Sequence, residues 1–131
     1  MNQWQHRMDT FLTRLDTKKR KRCLVKNGSS YEFVAVEDIA LAYSEDSVTF
    51  LITKEGKRHI YNRTIEQLAS ELDEEHHFQV NRGQIISIDN IEGVHPHLGQ
   101  RLKLSLKEFG PLEEIYVSRK RVSEFKEWLD S

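Results

Sequence analysis

At Cys23 the spacing of apolar residues changes from one helical turn to two residues, and that change limits what the chain can fold into. Before it, Trp4, Met8, Phe11, Leu12 and Leu15 recur at helical spacing, which predicts an amphipathic helix over residues 2–15. After it, Leu24 and then Tyr31, Phe33 and Ala35 alternate with polar neighbours, broken by the turn signal Asn27-Gly28-Ser29-Ser30. Period two marks a strand with one buried face. A helix of about four turns is marginal alone in water, so its stripe needs a surface on this chain or on a partner. The organisation expected is a helix and basic linker over 1–22, then a mainly β domain over 23–131.

Further strands follow in order. Asp38–Tyr43 and Val48–Thr53 are joined by the polar loop Ser44-Glu45-Asp46-Ser47, and Lys54-Glu55-Gly56-Lys57 turns the chain into Arg58–Tyr61. Thr64 with Gln67 three residues on has the spacing of a capping box. Ile65, Leu68, Ala69 and Leu72 then give a short covering helix over about 64–72. Ile88–His95 and Arg101–Leu106 read as a hairpin around Pro96-His97-Leu98-Gly99, with Leu102, Leu104 and Leu106 on one face. Phe109-Gly110-Pro111 turns into a strand over Glu114–Val117. Ser118 is the N-cap expected for a last helix over about 119–129, whose Val122, Phe125 and Leu129 share a face beside Trp128.

Composition bounds the class. A chain of 131 residues is one domain, or one domain with a tail. Its longest apolar runs are a handful of residues, too short to cross a bilayer. The single cysteine, Cys23, allows no internal disulfide. No signal-peptide core opens the sequence, so the cytoplasm is the expected compartment. Cys23 reads as a small core residue with basic neighbours able to lower its pKa. Net charge is −1, but its distribution is uneven. Residues 1–26 carry eight basic residues against Asp9 and Asp16, residues 27–110 carry fourteen acidic against eight basic, and Arg119-Lys120-Arg121 form a compact cluster. Such a distribution steers a polyanion to one face.

Two stretches carry candidate chemistry. Phe78 and Val80 alternate into the polar corner Asn81-Arg82-Gly83-Gln84, and the apolar run from Ile85 follows at once. A rigid frame on both sides would hold the Arg82 guanidinium out from the surface, and its planar fork suits phosphate or guanine edges. The bland reading is a solvated hairpin corner. The second stretch places Arg119, Lys120 and Arg121 in the first turn of a helix, where cations oppose the helix dipole. An anion bound there would reverse that penalty.

These blocks coincide in one pattern. Phe78-Gln79-Val80-Asn81-Arg82 with Ile85-Ile86-Ser87-Ile88-Asp89-Asn90-Ile91, the Thr64-Ile65-Glu66-Gln67-Leu68 helix, and Ile115-Tyr116-Val117-Ser118-Arg119 before an amphipathic helix together resemble the LytTR DNA-binding domain of bacterial response regulators. The likeness covers roughly residues 24–129. It implies an elongated, multi-stranded β fold with a short helix, whose loops at one edge enter major grooves of direct-repeat promoter sites. Carried over by position, the central contacting corner falls on Asn81, Arg82 and Gly83, with Gln84 beside it. The C-terminal block falls on Ser118 and Arg119 with Lys120 and Arg121, and a third contact loop on Ser44 to Ser47. Asn81 stands where the family usually has histidine, Gly83 where it has serine and Gln84 where it has an aromatic residue. Glu45 and Asp46 bring negative charge to the third loop, leaving Ser47 as its candidate contact. The implied partners are double-stranded DNA, a second copy on DNA, and an upstream receiver or sensor domain in a histidine-kinase pathway. The 22 residues before Cys23 are too few to be a receiver domain.

Other classes have less support. His95 and His97 share a strand face as metal ligands would, but no third ligand accompanies them, and His76-His77 reads as a strand entry. No nucleotide-binding, zinc-protease, hydrolase or paired-cysteine motif is present. No enzyme activity, cofactor or metal is therefore expected. The runner-up is a β-rich protein-interaction module that docks a partner through the helix over 2–15.

Overall fold

A computed structural model describes residues 19–131, so the helix expected over 2–15 lies outside the described residues. Ten strands follow in three antiparallel sheets: β1 (Arg22–Asn27), β2 (Ser30–Ala35), β3 (Ile39–Glu45), β4 (Val48–Thr53), β5 (Arg58–Tyr61), β6 (His77–Asn81), β7 (Gln84–Ser87), β8 (Ile91–His97), β9 (Arg101–Leu106) and β10 (Ile115–Val117). The organising sheet has five strands in the order β5-β4-β3-β7-β6; β10-β9-β8 form a second, and β1-β2 a hairpin. None of the described helices is long and apolar enough to cross a membrane.

The five-stranded sheet is buried on both faces. One face sends Ile39, Ala42, Leu51 and Ile85 against the hairpin residues Cys23, Val25 and Val34 and against helix α1 (Ile65–Glu71). The other sends Leu41, Tyr43, Ile52 and Ile86 against Leu102, Leu104, Leu106, Ile115, Val117 and Phe125. This explains why Ile39-Ala40-Leu41-Ala42-Tyr43 reads as a continuous apolar run, as strands covered on both sides do. A register shift between Ile39 and Leu41 lets two residues of one strand parity enter opposite cores.

Helix α1 has the expected start. Thr64 Oγ accepts from the Gln67 N–H at 3.0 Å, and the Gln67 side chain accepts from the Thr64 N–H at 2.9 Å. Asn90, almost fully buried, closes the far side. Its amide donates to the Ala40 carbonyl at 3.1 Å and the Glu108 carbonyl at 3.0 Å, and its oxygen accepts from the Glu108 N–H at 2.8 Å. All its polar groups have partners, so a polar side chain in the interior is tolerated.

Four details differ from the sequence reading. In the β1–β2 hairpin the buried face is Cys23, Val25 and Val34, while Leu24, Tyr31 and Phe33 are 51–66 % exposed. Alternation was present on both faces of these strands, and only packing selects which one is inside. Cys23 is a core residue, but burial pushes its thiol pKa up rather than basic neighbours pulling it down. A 3-10 turn over Ile88–Asn90 delays β8 to Ile91. The last helix, α2, spans Val122–Leu129, because Arg119–Arg121 form a 3-10 turn before it. Its Phe125 is buried, with Val122, Trp128 and Leu129 packed around the same core.

Candidate nucleic-acid interface

The antiparallel topology brings three chain segments to one end of the molecule. β3 ends at Glu45, β6 ends at Asn81 and β7 begins at Gln84, while β10 ends at Val117. Two backbone hydrogen bonds tie these ends together. The Ser44 N–H donates to the Gly83 carbonyl, and the Ser118 N–H donates to the Val80 carbonyl, both at 2.9 Å. The segments holding Ser47, Arg82 and Arg119 therefore share an edge although they are far apart in sequence.

Arg82 and Gly83 form the two-residue link between β6 and β7. Arg82 is exposed, and its guanidinium has no hydrogen-bond or ion-pair partner among the described residues. Its carbonyl accepts from the Gln79 side chain at 3.3 Å. Asn81 faces inward to brace the turn. Its amide nitrogen donates to Gln84 Oε1 and to the Tyr116 carbonyl, both at 2.8 Å, and its oxygen accepts from the Gly83 N–H at 3.0 Å. Both donors and the acceptor are thus committed within the protein, as is the Gln84 oxygen. Asn81 organises the corner, and Arg82 projects from it.

The third loop is shorter than the sequence reading: β3 runs to Glu45, leaving Asp46 and Ser47 as the turn. Both are exposed, with φ of 53° and 67°. Two consecutive residues at positive φ match the twist of a tight hairpin, a conformation that glycine or asparagine adopts at lower cost. Ser118 caps the following turn through its backbone only. Its carbonyl accepts from the Arg121 N–H at 2.9 Å, and its buried hydroxyl has no partner among the described residues. Ser118 is therefore not the side-chain N-cap expected. Arg119 and Lys120 are exposed, while Arg121 is half-buried with an unpartnered Nε. The N–H groups of Arg121 and Val122 already bond within the turn, which removes part of the backbone contribution to anion binding.

Residues beyond the sequence candidates adjoin this edge. On the outer face of the three-stranded sheet, the Arg101 guanidinium lies 4.6 Å above the Tyr116 ring and the His97 ring is 4.8 Å from it. Tyr116 donates to Glu114, which raises the phenol pKa and lowers that of the carboxyl. Lys103 pairs with Glu114 at 3.5 Å. The alternation Arg101-Leu102-Lys103 already placed both cations on one face; only the β9–β10 register sets them beside Tyr116. His95 bonds Ser105 at 3.0 Å, and the one close group of three potential metal ligands among the described residues is Asp73, Glu75 and His76.

A sequence model of the LytTr DNA-binding domain matches residues 29–130. The chain belongs to the LytTR DNA-binding domain family. That membership makes it a DNA-binding domain of the kind used in transcription regulation. No curated protein matches the chain. A solved structure of the LytTr DNA-binding domain of a Bacillus cereus protein, assigned as a methyl-accepting/DNA response regulator, has the same fold. It superposes with a TM-score of 0.73 at 16 % identity, over 86 % of this chain and 99 % of that one. The exposed side chains of Arg82, Arg119 and Lys120 lie on the edge described above.

Proposed function

We propose that this LytTR domain binds duplex DNA sequence-specifically, presenting its shared edge to successive major grooves of direct-repeat promoter sites. Arg82 reads base edges from a turn that Asn81, Gly83 and Gln84 hold in shape. Arg119, Lys120 and Arg121 divide between bases and phosphates on a turn fixed by Ser118, and Ser47 approaches the backbone from the third loop. The observation that carries this reading is the pair of hydrogen bonds, Ser44 to Gly83 and Ser118 to Val80, which draw three separate segments into one edge. Phosphate contacts give affinity and register, and side chains at base edges give specificity. The regulator acts in the cytoplasm, with two copies on adjacent repeats. By analogy with the Bacillus cereus response regulator, it answers an upstream receiver or sensor domain in a histidine-kinase pathway.

Selection from random duplex DNA at near-physiological salt, with excess competitor, tests this directly. The expected result is an enriched motif repeated at about one helical turn. Retention without enrichment would reduce the edge to a nonspecific electrostatic patch. Absence of retention would overturn the reading.

A further inference from the structure

The apolar part of a second surface is unexplained by DNA binding. Six large apolar side chains are exposed among the described residues, and four of them, Leu24, Tyr31, Phe33 and Ile60, belong to β1, β2 and β5. Leu24 pairs with Phe33 and Lys26 with Tyr31 across the hairpin, so these side chains share its outer face. Leu24, Tyr31 and Ile60 line a groove that runs along Arg63, Thr64 and Gln67 at the start of α1 and reaches Ser47 at its other end. Contiguous apolar surface of this kind marks a binding face rather than scattered exposure.

We infer that residues 4–15 of this same chain dock on that groove through Trp4, Met8, Phe11, Leu12 and Leu15. The described chain begins beside the other end of α1: Lys19 Nζ donates to the Ser70 carbonyl at 3.3 Å, and the Arg20 N–H to the Glu71 carbonyl at 2.8 Å. α1 has seven residues, about 10 Å at 1.5 Å each. The four steps from Leu15 to Lys19 span up to about 14 Å when extended. The segment therefore reaches the groove from its anchor. The apolar stripe expected from the sequence and an apolar surface that no described residue covers are separated by one short connection. Tethering gives an effective concentration in the millimolar range, so weak intrinsic affinity suffices.

The full chain has two tryptophans, so Trp128→Phe leaves Trp4 as the sole reporter. Its fluorescence is expected to be blue-shifted relative to a solvated indole and constant over a 100-fold dilution. Tyr31→Glu and Ile60→Glu, at sites 64 % and 61 % exposed, are each expected to return it to the solvated position and to lower the thermal midpoint only by the lost docking, with the transition still cooperative. Solvated emission in the parent, or emission indifferent to both substitutions, would overturn the inference. A blue shift that fades on dilution would also overturn it and assign the face to a second copy. If Trp128→Phe fails to fold, exchange protection of the Trp4 indole N–H in the unsubstituted chain, lost on Ile60→Glu, gives the same decision.

Discussion

The two hairpin turns of the candidate interface are joined by one hydrogen bond, Ser44 to Gly83, yet they are built in opposite ways. The β6–β7 turn carries a cation on a braced backbone: the Asn81 side chain donates two hydrogen bonds and accepts one there. Neither Arg82 nor Gly83 is at positive φ. The β3–β4 turn carries Asp46 next to Glu45 at the end of β3, no cation, and two non-glycine residues at positive φ. The contrast separates two jobs. One turn is preorganised to present a side chain, and the other combines a positive-φ backbone with negative charge.

The largest expected effect comes from removing the brace. Asn81→Leu strands the Tyr116 carbonyl and the Gly83 N–H, and should lower stability by about 2 kcal/mol, read as a shifted urea midpoint. An unchanged midpoint would mean the turn holds its shape without Asn81. Arg82→Ala should leave the midpoint within about 0.5 kcal/mol and weaken binding to the selected site by roughly 1–3 kcal/mol, relaxing one motif position. Equal losses on cognate and random duplexes would instead make Arg82 a phosphate contact.

Acid loads the opposite end of β6. His77 is buried, with Nε2 3.1 Å from the Ile39 carbonyl and Nδ1 unpartnered among the described residues. Burial holds its pKa below 6.5. Below pH 6.5 the unfolded chain takes a proton that the folded chain refuses, so stability should fall as pH drops from 6.5 toward the depressed folded value. A His77 ring resonance titrating at or above 6.5 would remove that slope. Asp46→Asn, at a positive-φ position that asparagine adopts readily, should tighten DNA binding, since a like charge leaves the edge while Ser47 is kept; weaker binding would show that Asp46 makes a contact. The smallest effect is expected for Gly83→Ser. The added Cβ would sit 4.0 Å from Ser44 Cβ, an ordinary contact, so the midpoint should stay within about 0.5 kcal/mol.

Local signals in the sequence were sufficient where the structure is local. The Thr64–Gln67 capping box, the Leu102-Leu104-Leu106 face and the apolar face of Val122, Phe125 and Leu129 all need only neighbours within a turn or a strand. Features that depend on distant partners were hidden. The brace role of Asn81 rests on a carbonyl 35 residues away. The outward turn of Leu24, Tyr31 and Phe33 is a choice between two alternating faces, and α1 with the five-stranded sheet decides it. Ser118 had the right residue type for a cap, but the 3-10 turn at Arg119–Arg121 moved the helix start beyond its reach.

The double covering of the central sheet has a thermodynamic consequence. Its strands end in the candidate contact turns while their middles are held from both sides, so those turns have little freedom left to lose when a ligand arrives. Association with DNA should then be close to rigid-body docking, with a heat-capacity change set by the interface alone. It should lack the larger negative excess that marks folding coupled to binding.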